Sequence, residues 1–178
     1  QPVIDVVPGL AAVQRGDVVL DADALLELPQ VRALERLVEL LLAQGADVRA
    51  LVHYNSMGRW GHLEELEPDA RSGVEVVVGD VQDPFAVKQA VADRDVVFHL
   101  AALIGIPYSY VAPQSYVSTN VNGTLNVLEA VRTSDVQRLV HTSTSETYGT
   151  ARYTPINESH PLQGQSPYSA SKIGADKL

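Results

Sequence analysis

The sequence predicts an α/β protein built on a doubly wound parallel sheet, and two observations carry that prediction. Short apolar runs alternate with stretches of helical periodicity along most of the 178 residues. Within the runs, hydrophobic residues stand at consecutive positions, as in strands of a parallel sheet that is covered on both faces. With 46% hydrophobic residues, a chain of this length can fill the core of one domain.

The clearest helix is predicted at residues 31–44. Leu37 and Leu41 belong to an apolar stripe at helical spacing. Gly45 is suited to end this helix, because glycine adopts the left-handed conformation of a C-terminal cap at little cost. The strands predicted after it, in chain order, cover residues 47–53, 74–78, 95–100 and 138–142.

The remaining elements are predicted from capping and turn residues. Asp83 and Pro84 favour a helix start, because a carboxylate can accept from the first amides and proline suits the first turn. A short helix is predicted near residues 63–67 and a long helical stretch over roughly 113–132. Residues 150–167, with three prolines, are predicted to form a loop of the kind that commonly borders a substrate.

Residues 1–30 do not fit this alternation as clearly. A first strand is possible at 3–7 or at 17–20, and a hairpin that turns near Pro8 and Gly9 is an alternative. We therefore expect a divergent N-terminal segment at 1–30, followed by one folded domain at 31–178.

Composition argues against several classes of function. A net charge of −9 disfavours nucleic-acid binding, and the absence of cysteine rules out thiolate zinc sites and disulfides. No apolar run reaches the roughly 20 residues of a membrane span, and no signal-peptide pattern begins the chain, so a cytoplasmic protein is expected. Local metal-ligand spacing is lacking around the five histidines, so no metal site is predicted. They are His53, His62, His99, His141 and His160.

The strongest chemical signal is a tyrosine four residues before a lysine. This spacing places Tyr168 and Lys172 on one face of a helix, where an ammonium would favour the phenolate and create a base. Thr144 and Glu146 follow the strand predicted at 138–142, so they should stand at its carboxyl end. Ligands of open α/β sheets bind at that edge.

Five sequence elements occur in one characteristic order. They are Gly79-Asp80-Val81-Gln82-Asp83, His99-Leu100-Ala101-Ala102, Thr119-Asn120-Val121-Asn122-Gly123-Thr124, Thr144-Ser145-Glu146 and Tyr168-Ser169-Ala170-Ser171-Lys172. With them, the chain resembles the extended short-chain dehydrogenase/reductase superfamily, in its nucleotide-sugar epimerase and dehydratase branch. The stretch Ser166-Pro167-Tyr168-Ser169-Ala170-Ser171-Lys172 is similar to UDP-N-acetylglucosamine 4,6-dehydratases. The resemblance implies a Rossmann-like, dinucleotide-binding domain at residues 31–178.

The resemblance implies a catalytic role for five residues. Tyr168 would remove a proton from a sugar hydroxyl, while Lys172 lowers its pKa and binds the nicotinamide ribose. Thr144 would hydrogen-bond the reacting sugar oxygen. Glu146 would take the proton at the C5 carbon. Ser145 stands where many dehydratases carry an aspartic acid that protonates the leaving hydroxyl, which leaves open whether the reaction is dehydration, epimerisation or decarboxylation.

The resemblance also implies a nicotinamide cofactor. Asp80 and Val81 match adenine contacts, and Asn120 matches a residue that braces the site or forms a core hydrogen bond. A small-residue segment matches the approach to the cofactor phosphates; it consists of Leu100, Ala101 and Ala102. NAD is expected, and NADP stays possible because Arg59 could reach a 2′-phosphate.

The chain departs from the family pattern at both ends. Residues 21–30 contain no glycine and three acidic groups where the family has a glycine-rich phosphate turn, and the chain ends six residues after Lys172, where the family continues into a substrate domain. A non-catalytic scaffold is therefore one alternative, and an NADPH-dependent carbonyl reductase is another. The helices at 113–132 and after 167 resemble the pair that forms a dimer bundle, so a homodimer is expected.

Overall fold

A computed structural model describes residues 6–7, 10–14 and 33–178 of the protein. Among these residues a five-stranded sheet lies between helices on both of its faces, and two short strands form a separate pair. The predicted α/β class is thereby confirmed. The strands are β1 (Val6–Val7), β2 (Leu10–Gln14), β3 (Asp47–His53), β4 (Val74–Gly79), β5 (Val96–His99), β6 (Ala102–Leu103) and β7 (Arg138–His141).

The helices lie between these strands. They are α1 (Ala33–Ala43), α2 (Pro68–Ser72), α3 (Pro84–Val91), α4 (Ile106–Ser109), α5 (Pro113–Tyr116), α6 (Gly123–Arg132) and α7 (Pro167–Asp176). Two 3-10 turns cover Gly61–Glu65 and Ser145–Thr147, and a π-helical stretch at Val117–Asn122 joins α5 to α6. The single helix predicted at 113–132 is thus interrupted. In the described part of the chain, no helix is both long and apolar enough to cross a bilayer.

The direction of one strand differs from the prediction. The sheet order is β4-β3-β2-β5-β7, and the pairs β3–β4 and β5–β7 are parallel as expected. The central strand β2 is antiparallel to both β3 and β5, so the prediction of a wholly parallel sheet is wrong there. A strand can complete its neighbours' hydrogen bonds in either direction, and the apolar pattern of residues 10–14 does not encode one.

The other predictions for residues 1–30 have mixed outcomes. β1 does not pair with β2 in a hairpin; it pairs antiparallel with β6, with Val6 opposite Leu103 and Val7 opposite Ala102. Pro8, Gly9 and the strand considered at 17–20 lie outside the described residues.

Two hydrophobic clusters cover the faces of the sheet. On one face, α1 packs Leu37 and Leu41 against a cluster that includes Phe98 of β5. On the other, Val87 of α3 and Val127 of α6 belong to a cluster with Val97. Burying side chains of this size contributes about 1.5–3 kcal/mol each. Helices on both faces leave the ends of the strands as the open edges of the sheet.

Candidate active site

The carboxyl ends of the four parallel strands meet at one edge of the sheet. His53 ends β3 opposite Gly79, which ends β4. His99 ends β5 opposite His141, which ends β7. The residues that follow these strands include Asp80 and Thr144, so the motifs predicted to carry chemistry converge on this edge.

Helix α7 positions the tyrosine and the lysine. Ser166 caps it: its hydroxyl accepts from the amide of Ser169, and the hydroxyl of Ser169 accepts from the amide of Ser166. Tyr168 and Lys172 are only 6% and 4% exposed, because both face the body of the protein. The ammonium of Lys172 donates to the carbonyl oxygen of Thr142 at 2.7 Å. This bond holds the helix against the end of β7.

The Thr-Ser-Glu element forms a 3-10 turn beside the phenol. The hydroxyl of Thr144 caps this turn by accepting from the amide of Glu146 at 3.3 Å, and it also hydrogen-bonds Tyr168. The side chains of Ser145 and Glu146 are exposed at the edge. The carboxylate of Glu146 is close enough to raise the pKa of Tyr168. Three of the five predicted catalytic residues, Thr144, Glu146 and Tyr168, are thus linked by a hydrogen bond or by charge.

The net shift in the pKa of Tyr168 is upward, although its spacing from Lys172 favours a decrease. Burial raises the pKa of Tyr168 above its ordinary value, and the hydrogen bond from Thr144 offsets only part of that increase. Burial also lowers the pKa of Lys172, while Asp176 partly offsets this decrease. Desolvation disfavours the charged form of each group, which outweighs the effect expected from their helical spacing.

Asp176 lies one helical turn after Lys172 and connects α7 to β7. It accepts from the hydroxyl of Ser143, and its other oxygen lies 3.2 Å from Nε2 of His141. Its charge acts on both Lys172 and Tyr168. Sequence reasoning missed this residue, although its spacing of four from Lys172 is the same signal that identified the tyrosine.

His99, at the end of β5, is buried beneath this edge of the sheet. Its ring is 1% exposed and lies 5.1 Å from the ring of His141. The hydroxyl of Thr124 donates to the carbonyl of Asn120 at 2.6 Å, so it accepts from Nε2 of His99 at 2.9 Å. Burial, with the nearby His141 and Lys172, lowers the pKa of His99 to about 3. The imidazole is therefore neutral at physiological pH.

Asn120 lies in the π-helical stretch and its amide is fully engaged. It accepts from the amide of Leu103 at 2.8 Å and donates to the carbonyl of the same residue at 3.0 Å. It also donates to the hydroxyl of Ser171 at 2.9 Å. These buried hydrogen bonds tie β6 to helix α7 between Tyr168 and Lys172.

The residues predicted to contact the adenine lie at the end of β4. Asp80 accepts from the amide of Gln82 at 2.9 Å and pairs with His53 at 3.1 Å. Val81 is buried against Gly123, where an added Cβ would lie 2.9 Å from the valine side chain. Only glycine therefore allows α6 to approach this closely.

The predicted phosphate-side segment continues directly into β6. Leu100 and Ala101 are partly buried and Ala102 is buried. Because β1 pairs with Ala102 and Leu103, Val6 and Val7 lie beside this segment. Sequence reasoning did not foresee that contact.

Comparison with known proteins gives a consistent result. A family model described as GDP-mannose 4,6-dehydratase matches residues 35–178. The dTDP-glucose 4,6-dehydratase of Mycobacterium tuberculosis is 43% identical over 124 residues, which cover 66% of this chain and 36% of that protein. The UDP-glucose 4-epimerase of Streptomyces lividans is 38% identical over 123 residues, covering 65% and 37%. The chain thus spans little more than a third of the length of these curated relatives.

Solved structures show the same similarity. DesIV, a dTDP-glucose 4,6-dehydratase from Streptomyces venezuelae solved with NAD and TYD bound, has a TM-score of 0.68 and 31% identity over 80% of this chain and 46% of that one. UDP-glucose 4-epimerase from Bifidobacterium longum, solved with NAD+ and UDP, has a TM-score of 0.68 and 28% identity, covering 80% and 43%. The fold is therefore Rossmann-like.

Proposed function

Because the chain belongs to the GDP-mannose 4,6-dehydratase family, we propose that it acts on a nucleotide sugar, as a 4,6-dehydratase or 4-epimerase. The reaction would pass through transient oxidation of the C4 carbon. The observation that carries this proposal is the contact between the Thr144 hydroxyl and Tyr168, beside a lysine anchored to the same strand end. Residues 31–178 would form the dinucleotide-binding domain, with 1–30 as a divergent segment.

NAD is the proposed cofactor, and the chemistry of the edge supports it. An ammonium has three N–H donors, and Lys172 uses one for Thr142, so it retains donors suited to ribose hydroxyls. The carboxylate of Asp80 has acceptor sites beyond its bonds to Gln82 and His53. The relatives solved with NAD bound, including DesIV, support the same choice. Arg59 is the residue that would bind a 2′-phosphate if NADP were used.

Each side chain at the edge has its own role in the proposed reaction. NAD would supply the hydride acceptor for the C4 carbon. Tyr168 takes the proton from the sugar hydroxyl at that carbon, and Thr144 hydrogen-bonds the same oxygen. Lys172 orients the cofactor ribose. Asp176, by engaging Ser143 and His141, keeps α7 fixed against β7 while these groups react.

Incubation with NAD and candidate sugars tests this function. We expect NAD binding, followed by a 4-keto product or a 4-epimer from at least one of dTDP-glucose, UDP-glucose, UDP-N-acetylglucosamine and GDP-mannose. If NAD does not bind at millimolar concentration and no sugar is converted, the enzyme proposal fails. That outcome would favour the scaffold alternative, in which β1 lies beside Ala102 and Leu103.

Glu146 separates the two proposed reactions. In a dehydratase, Glu146→Gln is expected to lower the release of 4-keto-6-deoxy product by about 10²–10⁴-fold, because an amide cannot remove the proton at the C5 carbon. Oxidation of the C4 carbon should continue and would be visible as nicotinamide absorbance in a single turnover. Glu67→Gln, at an exposed position before α2, is the matched control. Unchanged release of the 4-keto-6-deoxy product by Glu146→Gln would show that Glu146 is not the base at the C5 carbon. Formation of a 4-epimer at the same rate by the unmodified chain and by Glu146→Gln would identify epimerisation instead.

We also propose a cytoplasmic homodimer. Val117 and Leu125, on the π-helical stretch and α6, are 44% and 42% exposed, which supports an apolar contact between copies. Sedimentation at tens of micromolar is expected to give twice the mass of the chain. A single species at the mass of one chain would contradict the dimer.

A further inference from the structure

Helix α1 and the 3-10 turn at Gly61–Glu65 bring three potential metal ligands together. They are Glu35, His62 and Glu65, whose ligand atoms all lie within 4.8 Å of one another. We infer that these side chains form a binding site for a divalent transition-metal cation of the zinc type. The chemistry proposed for Tyr168 and Lys172 does not use this cluster.

The environment of Glu35 is the main reason for this inference. The residue is 5% exposed, and its Oε1 is buried without a hydrogen-bond partner among the described residues. Burying a carboxylate oxygen without compensation is unfavourable by several kcal/mol. A cation bound to this oxygen would supply the missing interaction.

The neighbouring histidine does not hydrogen-bond that oxygen, although its ring lies within ion-pair distance of it. Nδ1 of His62 lies 3.1 Å from Oε1 of Glu35, a distance that an ion pair would also give. However, Oε1 has no hydrogen bond, so no ring N–H points at it with acceptable geometry. Two such atoms can lie this close without a hydrogen between them when both face the same cation.

The separations between ligand atoms suit a small cation. Nδ1 of His62 lies 3.1 Å from Glu35 and 3.6 Å from Oε1 of Glu65. Ligand atoms about 2.0–2.1 Å from a tetrahedral zinc ion lie about 3.3–3.4 Å apart. His62 and Glu65 are three residues apart in a 3-10 turn, where such side chains eclipse and project together.

The donor set selects the class of metal. One imidazole nitrogen and two carboxylate oxygens are typical zinc ligands, whereas magnesium and calcium prefer oxygen alone. Three protein ligands leave the fourth tetrahedral position for water. Sequence analysis predicted no metal site, because Glu35 lies far along the chain from the other two ligands and only the fold brings them together.

Metal binding to the untagged chain tests the site. After treatment with a chelator, we expect one Zn²⁺ to bind per chain in calorimetry and in competition with a chromophoric chelator, and Mg²⁺ to bind at least about 100-fold more weakly. Glu35→Gln and His62→Gln should each weaken zinc binding at least about tenfold, since even outer-shell partners of a metal contribute about 10–100-fold.

Two matched variants control for nonspecific binding. Glu39→Gln changes a carboxylate one turn further along α1, and His53→Gln changes another histidine that is paired with a carboxylate. Both should bind zinc within about twofold of the unmodified chain. Zinc binding that is absent from the unmodified chain, or unchanged in Glu35→Gln, would overturn the site.

Thermal unfolding shows whether a variant that does not bind zinc is still folded. Zinc should raise the melting temperature of the unmodified chain but not that of Glu35→Gln. Without metal, Glu35→Gln should melt no lower than the unmodified chain, because the amide is less costly to bury than a carboxylate. A lower melting temperature of this variant, together with no effect of zinc on the unmodified chain, would mean that Glu35 serves only an ion pair with His62.

Discussion

Replacing Tyr168 with phenylalanine is expected to lower product formation by about 10²–10⁴-fold, the usual contribution of a general base. Activity is lost because phenylalanine lacks the hydroxyl, the only group proposed to accept the sugar proton. The aromatic ring itself is retained. Tyr168 packs edge-on against Tyr116, with ring centroids 6.2 Å apart, and phenylalanine preserves that contact. The measurement is turnover of the nucleotide sugar that the unmodified chain converts.

Binding should change much less than turnover in this variant. Loss of the hydrogen bond between Thr144 and the phenol is expected to alter stability by about 1 kcal/mol, the usual net contribution of such a bond. NAD affinity should stay within a few-fold, because Lys172 remains anchored to Thr142.

The matched control removes a different tyrosine hydroxyl. Tyr110→Phe deletes an exposed hydroxyl that donates to the carbonyl of Gln165, and it should leave turnover within about twofold. If Tyr168→Phe turns over as fast as this control, Tyr168 is not the base.

Loss of stability in acid is the second large effect that we expect. The pKa of His99 is lowered to about 3, mainly by burial and further by His141 and Lys172. Below pH 6.5 the unfolded chain binds a proton at His99 that the folded chain does not bind. The free energy of unfolding should therefore be fully retained above pH 6.5 and fall by about 1.4 kcal/mol per pH unit from this group as the pH approaches 3.

Chemical denaturation between about pH 4 and pH 7 measures this slope. The variant His99→Gln retains an N–H donor for Thr124 but does not titrate, so its slope should be shallower by about one proton. His141, whose pKa is also lowered by burial, contributes in the same direction and stays present in both proteins. The difference between the two slopes therefore isolates His99.

Equal slopes in the unmodified chain and in His99→Gln would show that burial of this imidazole does not govern acid stability.

Local sequence signals determined much of the fold. The strand predicted at 47–53 is found with those bounds, and the carboxylate of Asp83 accepts from the amide of Phe85 at the start of α3, as its position before Pro84 predicted. Both features depend on residues close together in the chain. The π-helical stretch at Val117–Asn122 was not predicted, because the residues on either side share one helical pattern.

The predicted chemical groups also converged as expected. The spacing of Tyr168 and Lys172 correctly placed both on the inner face of one helix. Thr144, which follows β7, lies next to the phenol of Tyr168. Local periodicity was sufficient for this result, because strand ends and helix faces follow from neighbouring residues.

The tertiary structure decided what depends on burial and on contacts between distant segments. It set β2 antiparallel between two strands and raised the pKa of Tyr168 where spacing alone suggested a decrease. It also brought Glu35 to His62. Periodicity reports which face of an element is apolar, but strand direction, desolvation and the approach of distant carboxylates arise only when the whole chain excludes water.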